Sequence, residues 1–109
     1  MAVKSVSEEP QVKLISWGVV VDGWSEPRLV GTPLGTTRGR ISSAVQYFNL
    51  DTMTAVTASG RTYRLIGPAD YFSAVAIVIA MRGMSEHIKA WMTVEDLALA
   101  VAPPSRGMN

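Results

Sequence analysis

MTAVTASGRTYRLI, residues 53–66, places two short runs of β-branched, aromatic and aliphatic residues on either side of Ser59-Gly60. Runs of this kind around a small turn pair are the local signature of a β-hairpin. A two-residue connection would pair Ala58 with Arg61, Thr57 with Thr62, Val56 with Tyr63, Ala55 with Arg64 and Thr54 with Leu65. Side chains alternate along a strand, so this register predicts a core face of Val56, Tyr63 and Leu65 and a wet face of Thr57, Thr62 and Arg64.

Working outward from the hairpin, Gly67-Pro68 breaks the second strand, and Ala69-Asp70 opens YFSAVAIVIAM, residues 71–81. That segment is apolar almost all round, which predicts a buried helix packed on the sheet with its other side against the last helix or a partner. Gly83 ends it, and Ser85 to Trp91 fits either a short helix or a strand. Thr93 followed by Val94, Glu95 and Asp96 reads as an N-cap with acids in the first turn, leading into a helix that Pro103-Pro104 stops. Upstream, VKLISWGVVVD predicts a first strand from Val12, with Gly18 at a bulge or a close approach. Arg28 to Thr32 is bracketed by Pro27 and Pro33, which predicts an edge strand. GTPLGTTRGR lacks hydrophobic period and reads as a loop, and ISSAVQYFNL as a further strand. The expected fold class is α+β: an antiparallel sheet of about four to five strands, then a buried helix and a short C-terminal helix on one sheet face. The expected domain runs over residues 12–102, between flexible segments 1–11 and 103–109.

A chain of 109 residues with 48% hydrophobic content can bury a core without metal or disulfide staples. It has no cysteine, which excludes disulfides, thiol catalysis, zinc-thiolate sites and iron–sulfur clusters. The N-terminus lacks the charged start and apolar core of a signal peptide. The longest apolar run, Ala74 to Met81, falls far short of the ~20 residues that span a bilayer. A cytoplasmic location is expected. Net charge is +1 and unevenly spread. Residues 28–64 carry Arg28, Arg38, Arg40, Arg61 and Arg64 against Asp51, five minus one, or +4; residues 69–102 carry four acids against Arg82 and Lys89, or −2.

Chemistry-bearing residues are sparse. His87 is the sole histidine and has no patterned nucleophile near it, so an ordinary surface role outweighs a catalytic one. Asp22, Glu26, Asp51, Asp70, Glu95 and Asp96 lack the spacing of a bundle site or a calcium loop. The glycines at 31, 35 and 39 lack the lysine and helix of a phosphate loop and supply turn geometry instead. No cofactor, metal or catalytic residue is therefore expected. The arginines offer more: Arg61 and Arg64 flank the hairpin tip, Arg38 and Arg40 flank the glycine loop, and Tyr47 or Trp24 adds an aromatic surface. Trp17 is expected in the core, Trp91 as the anchor of the C-terminal helix, and Trp24, in a turn, as an interface anchor.

Thr57, Ser59, Gly60, Arg61, Tyr63, Leu65, Gly67 and Pro68 form a T-x-S-G-R-x-Y-x-L-x-G-P stretch that resembles a pattern in small bacterial and prophage-type proteins. The match covers about a tenth of the chain and brings no activity with it. The resemblance implies a small accessory protein of a bacterial or phage genome. The expected function is a non-enzymatic protein-interaction module, such as a phage or mobile-element inhibitor of a host complex of the anti-CRISPR or anti-defence type. Its partner-binding residues would be Trp24, Arg38, Arg40, Tyr47, Arg61 and Arg64. A homodimer through the helical face is a variant, and the alternative is a nucleic-acid-binding regulator using an arginine-bearing sheet face. No membrane partner is expected.

Overall fold

β1 is long because two different neighbours use its two halves. In the computed structural model, which describes residues 6–81 and 85–101, it spans Gln11–Asp22. It is followed by β2 (Pro27–Pro33), β3 (Arg40–Asn49), β4 (Thr54–Thr57), β5 (Thr62–Leu65), α1 (Tyr71–Ala80), β6 (Ile88–Met92) and α2 (Val94–Ala100). The tail expected over 103–109 and the first five residues of the expected lead-in lie outside the described residues. The rest of that lead-in is tied down before the Val12 boundary: the Thr62 amide donates to the Pro10 carbonyl at 2.9 Å.

The strands form one mostly antiparallel sheet in the order β2-β3-β4-β5-β1-β6, and β2 also pairs with β1, so five strands close on themselves. The one parallel pairing joins β5 to the first half of β1, from Gln11↔Thr62 to Leu14↔Leu65. It follows from the count: five strands run alternately up and down, so the first and fifth point the same way where the ring closes. β2 therefore has neighbours on both sides, unlike the edge strand its flanking prolines suggest. Pro27 and Pro33 stand at its two ends, where a missing N–H costs least.

Bulges bend the strands into closure. In β1 the register with β2 slips between Ile15 and Gly18, and Ser16 takes the left-handed φ of 52°. The extra residue resets the alternation, so that Val12 and Leu14 before it and Trp17 and Val19 after it all face inward. With Leu29, Val45, Phe48, Ala55, Tyr63 and Leu65 they fill the interior, and Leu97 of α2 joins them. Trp17 is in the core as expected, and its indole N–H is shared between the Ile66 and Gly67 carbonyls at 3.2 Å each.

A second cluster lies outside the ring. Val20 and Val30 pack beneath Ala74 and Val78 of α1, with Ile41, Ile77, Ile88 and Trp91 around them. The two helices thus serve different sides: α1 covers the outer surface of β1 and β2, and α2 joins the interior cluster. Trp91 belongs to β6 and meets Tyr71 of α1 edge-on at 5.7 Å, so it anchors α1 rather than the C-terminal helix. Gly18 is a close approach, as a Cβ there would stand 3.0 Å from that of Ala74. The Thr93 cap matches the sequence reading, its hydroxyl accepting from the Asp96 amide at the start of α2, and at the start of α1 the Asp70 carboxylate accepts from the Ser73 amide.

The hairpin register is one residue off the two-residue expectation. Thr54 faces Arg64, Ala55 faces Tyr63 and Val56 faces Thr62. The connection has three residues, Ala58 to Gly60: Thr57 N–H donates to Arg61, Gly60 N–H donates back to Thr57, and Gly60 has φ 90°. A turn closed by a left-handed residue is the usual three-residue solution. The slip exchanges the faces of β4 alone. Ala55 and Thr57 point inward and Val56 outward, while Tyr63 and Leu65 stay inside and Arg64 outside as expected. The buried Thr57 hydroxyl lies 3.2 Å from the Ser59 hydroxyl and 3.4 Å from the Arg61 carbonyl, satisfying its polar atom.

Gly31 tests the interior packing. A Cβ there would lie 2.6 Å from Leu14 Cγ and 3.0 Å from the Ile15 carbonyl oxygen. Gly31→Ala should therefore destabilise the fold by about 1–3 kcal/mol through overpacking, read as a lower urea midpoint at unchanged m.

Candidate interaction surfaces

The residues expected to bind a partner fall into four places. Trp24 occupies the turn between β1 and β2. Asp22 N–H donates to Glu26, and Ser25 N–H donates back to Asp22, the same pattern as in the 58–60 loop. Here the left-handed position is held by Ser25, at φ 63°, instead of a glycine. The buried Asp22 carboxylate compensates: Oδ1 accepts from the Trp24 and Glu26 amides at 2.9 and 3.0 Å, and Oδ2 takes Arg28 Nε at 2.7 Å. The turn is thereby fixed with the Trp24 ring 76% exposed. Burial works against the Asp22 charge, but the Arg28 guanidinium and the two amides outweigh it and hold the carboxyl below its ordinary value of 3.8.

Arg40 and Arg61 are not on an open face. Arg61 is buried, its Nε donating to the Glu9 carbonyl at 2.9 Å and lying 3.8 Å from the Glu9 carboxylate. Arg40 meets the same carboxylate at 3.0 Å. Burial disfavours the Arg40 cation, yet contacts with Tyr63 and Glu9 more than offset it and raise the guanidinium above its ordinary value. These two arginines clamp the segment before β1 to β3 and β5. No local pattern signals this clamp, because Glu9 lies 31 positions from Arg40. Arg38 stands apart in the exposed loop before β3, beside the end of α1.

Tyr47 and Arg64 do share a surface, the outer face of β3, β4, β5 and the first half of β1. Register across the four strands lines up two rows. One is Tyr47, Val56, Thr62 and Gln11; the other is Asn49, Thr54, Arg64 and Lys13. Lys13 and Arg64 are thus direct neighbours, both exposed. Lys13 escaped the sequence reading because only the parallel β1–β5 pairing brings it to Arg64.

The second candidate surface is the outer side of α1. The helix contains no charged residue. Only Ala74 and Val78 are buried, whereas Phe72 is 88% and Ile79 is 68% exposed, with Val75 and Met81 also open. The expectation of a buried helix is corrected: one side packs on β1 and β2, and α2, which joins the interior, does not cover the other. Shallow grooves flank this ridge. One, of about 280 Å³, lies between Val75, Ile79, Ile88 and Trp91 and includes Lys89; the other, of about 540 Å³, lies between Ala76, Ala80, Met81 and the Arg38 loop. Lys89 Nζ donates to Ser25 Oγ at 2.9 Å, so the Trp24 turn borders the first groove. His87 is exposed in the 3-10 turn Ser85–His87 just before β6.

Comparison of the chain with family models, with curated proteins and with solved structures finds no match.

Two outcomes test the β1–β2 turn. Ser25→Gly relieves a left-handed serine and should stabilise by about 1 kcal/mol in urea unfolding. Asp22→Asn should cost about 1–3 kcal/mol at neutral pH, since it opposes an amide to Arg28. The folded carboxyl lies below its unfolded value, so its contribution is present above the ordinary value of 3.8 and is lost as pH falls through the folded one. The gap between wild type and Asp22→Asn should therefore close in acid; a gap constant with pH would show that the charge is irrelevant.

Proposed function

We propose that this chain is a non-enzymatic protein-interaction module that acts as a symmetric dimer through the outer face of α1. The observation that carries the reading is a helix without a single charge whose Phe72 and Ile79 side chains stand in solvent. Leaving such a ridge in water is unfavourable, and contiguous apolar patches of this kind mark interfaces.

A second copy is the occupant that fits. A two-fold interface needs one patch to be its own complement, and here ridge and grooves lie side by side on the same chain. Phe72 and Ile79 of one copy can enter the grooves flanking α1 of the other, the ridges-into-grooves mode of helix packing. With no charge on the helix, two copies of α1 can meet without opposing like charges on the helices themselves. Its aromatic and aliphatic side chains offer on the order of 500 Å² per copy, so a pair buries about 1,000 Å², the lower range of specific interfaces. Edge pairing through β6 is a poorer route, because the register with β1 slips between Val21 and Asp22 and the exposed Lys89 sits at that irregularity.

Light scattering at about 100 µM should give the mass of two chains, and Phe72→Asp with Ile79→Asp the mass of one with an unchanged far-UV spectrum. A wild-type chain that stays single at that concentration would overturn the reading.

A further inference from the structure

We propose that the open face of β3, β4, β5 and the first half of β1 binds single-stranded nucleic acid, with phosphates on Lys13 and Arg64 and a base stacked on Tyr47. This site is separate from α1.

Three features carry it. Lys13 and Arg64 are register partners on adjacent strands, and like charges directly opposite one another are destabilising unless an anion lies between them. No acid occupies the eight positions of the two rows. Glu9 lines the cleft beside Lys13 and Arg64, but its carboxylate is engaged by Arg40 and Arg61, while Asp51 lies in the β3–β4 turn, off the β5–β1 pairing that joins Lys13 to Arg64. The cations also stand in a cleft of about 530 Å³, with Thr54 and Thr62 beside them and Leu34 and Thr36 of the β2–β3 loop as a wall.

The rest of the face selects the class of ligand. Asn49, Thr54, Thr62 and Gln11 supply neutral donors and acceptors suited to sugar and base edges. Tyr47, 42% exposed, supplies the aromatic plane on which a base stacks. Three interstrand steps of ~4.8 Å separate β3 from β1, about 14 Å along the curved outside of the ring, so a chain that follows the curve meets Tyr47 at one side and the cations at the other. A duplex needs an element that enters a groove, whereas a flexible single strand can follow an outer surface that curves with the closed ring. An apolar protein surface would find little besides Val56, the Tyr47 ring and, across the cleft, Leu34 to bury against.

The probe is a fluorescein-labelled oligothymidylate of about 12 nucleotides, followed by anisotropy. With two phosphate contacts, the salt slope should be about −1.4, so affinity should fall about 25-fold for a tenfold rise in salt. Lys13→Glu with Arg64→Glu should abolish binding while leaving the far-UV spectrum and the mass in light scattering unchanged, which separates this site from the α1 reading. Tyr47→Ala should weaken binding at least about fivefold, and Tyr47→Phe should restore it. Absence of binding at low salt, or binding that the charge reversal leaves intact, would overturn the proposal. So would competition by an unlabelled duplex or by anionic vesicles as effective as competition by the single strand, since the face would then be a general polyanion surface.

Discussion

The extra residue at Ser16 is the constraint on which the rest of the structure depends. A twelve-residue strand with strict alternation would present Val12 and Leu14 to one face and Trp17 and Val19 to the other. The left-handed serine inserts one residue, and all four side chains enter the same interior. The same slip puts Gly18 and Val20 outside, where Ala74 rests against Gly18 and the α1 cluster forms. One backbone irregularity therefore supplies both cores. It also lets the first half of β1 seal the ring against β5 while its second half serves β2 and β6.

Closure explains where the chain is exposed. A ring of five strands needs no helix to cover its inside, because the side chains of opposite strands cover one another. Leu97 of α2 adds one more side chain to that interior. α1 is then left to cover part of the outside, and a single ten-residue helix can bury only one of its sides on β1 and β2. Its far side remains apolar and in water. Beyond Ile41, which joins the α1 cluster, the outer side of β3, β4 and β5 carries mainly polar and basic side chains. The two proposed surfaces are what remains once the interior is filled from within.

The charged groups divide in the same way. Asp22 and Glu9 each hold arginines, and both fix chain geometry: Asp22 a strained turn that holds Trp24 outward, Glu9 the entry into β1. Buried or half-buried ion pairs of this sort matter more for which conformation is adopted than for net stability. The basic residues left on the open face are Lys13 and Arg64.

Sequence by itself determined the elements: the hairpin around Gly60, the strand through Trp17, the helix opened by Ala69-Asp70, the cap at Thr93, and the burial of Tyr63 and Leu65. These follow from local preference and alternation, which act over a few residues. It also showed that the segment over 71–81 is apolar almost all round. What only the tertiary structure decided was which sides are used. The face of Val56 turned on one loop residue, because a single-residue slip inverts a strand. The place of β2 turned on ring closure, the meeting of Lys13 with Arg64 on a parallel pairing across 51 positions, and the capture of Arg61 on a glutamate 52 positions away. Such contacts depend on how strands curve and close, and curvature is set by bulges and packing that no short window of sequence contains.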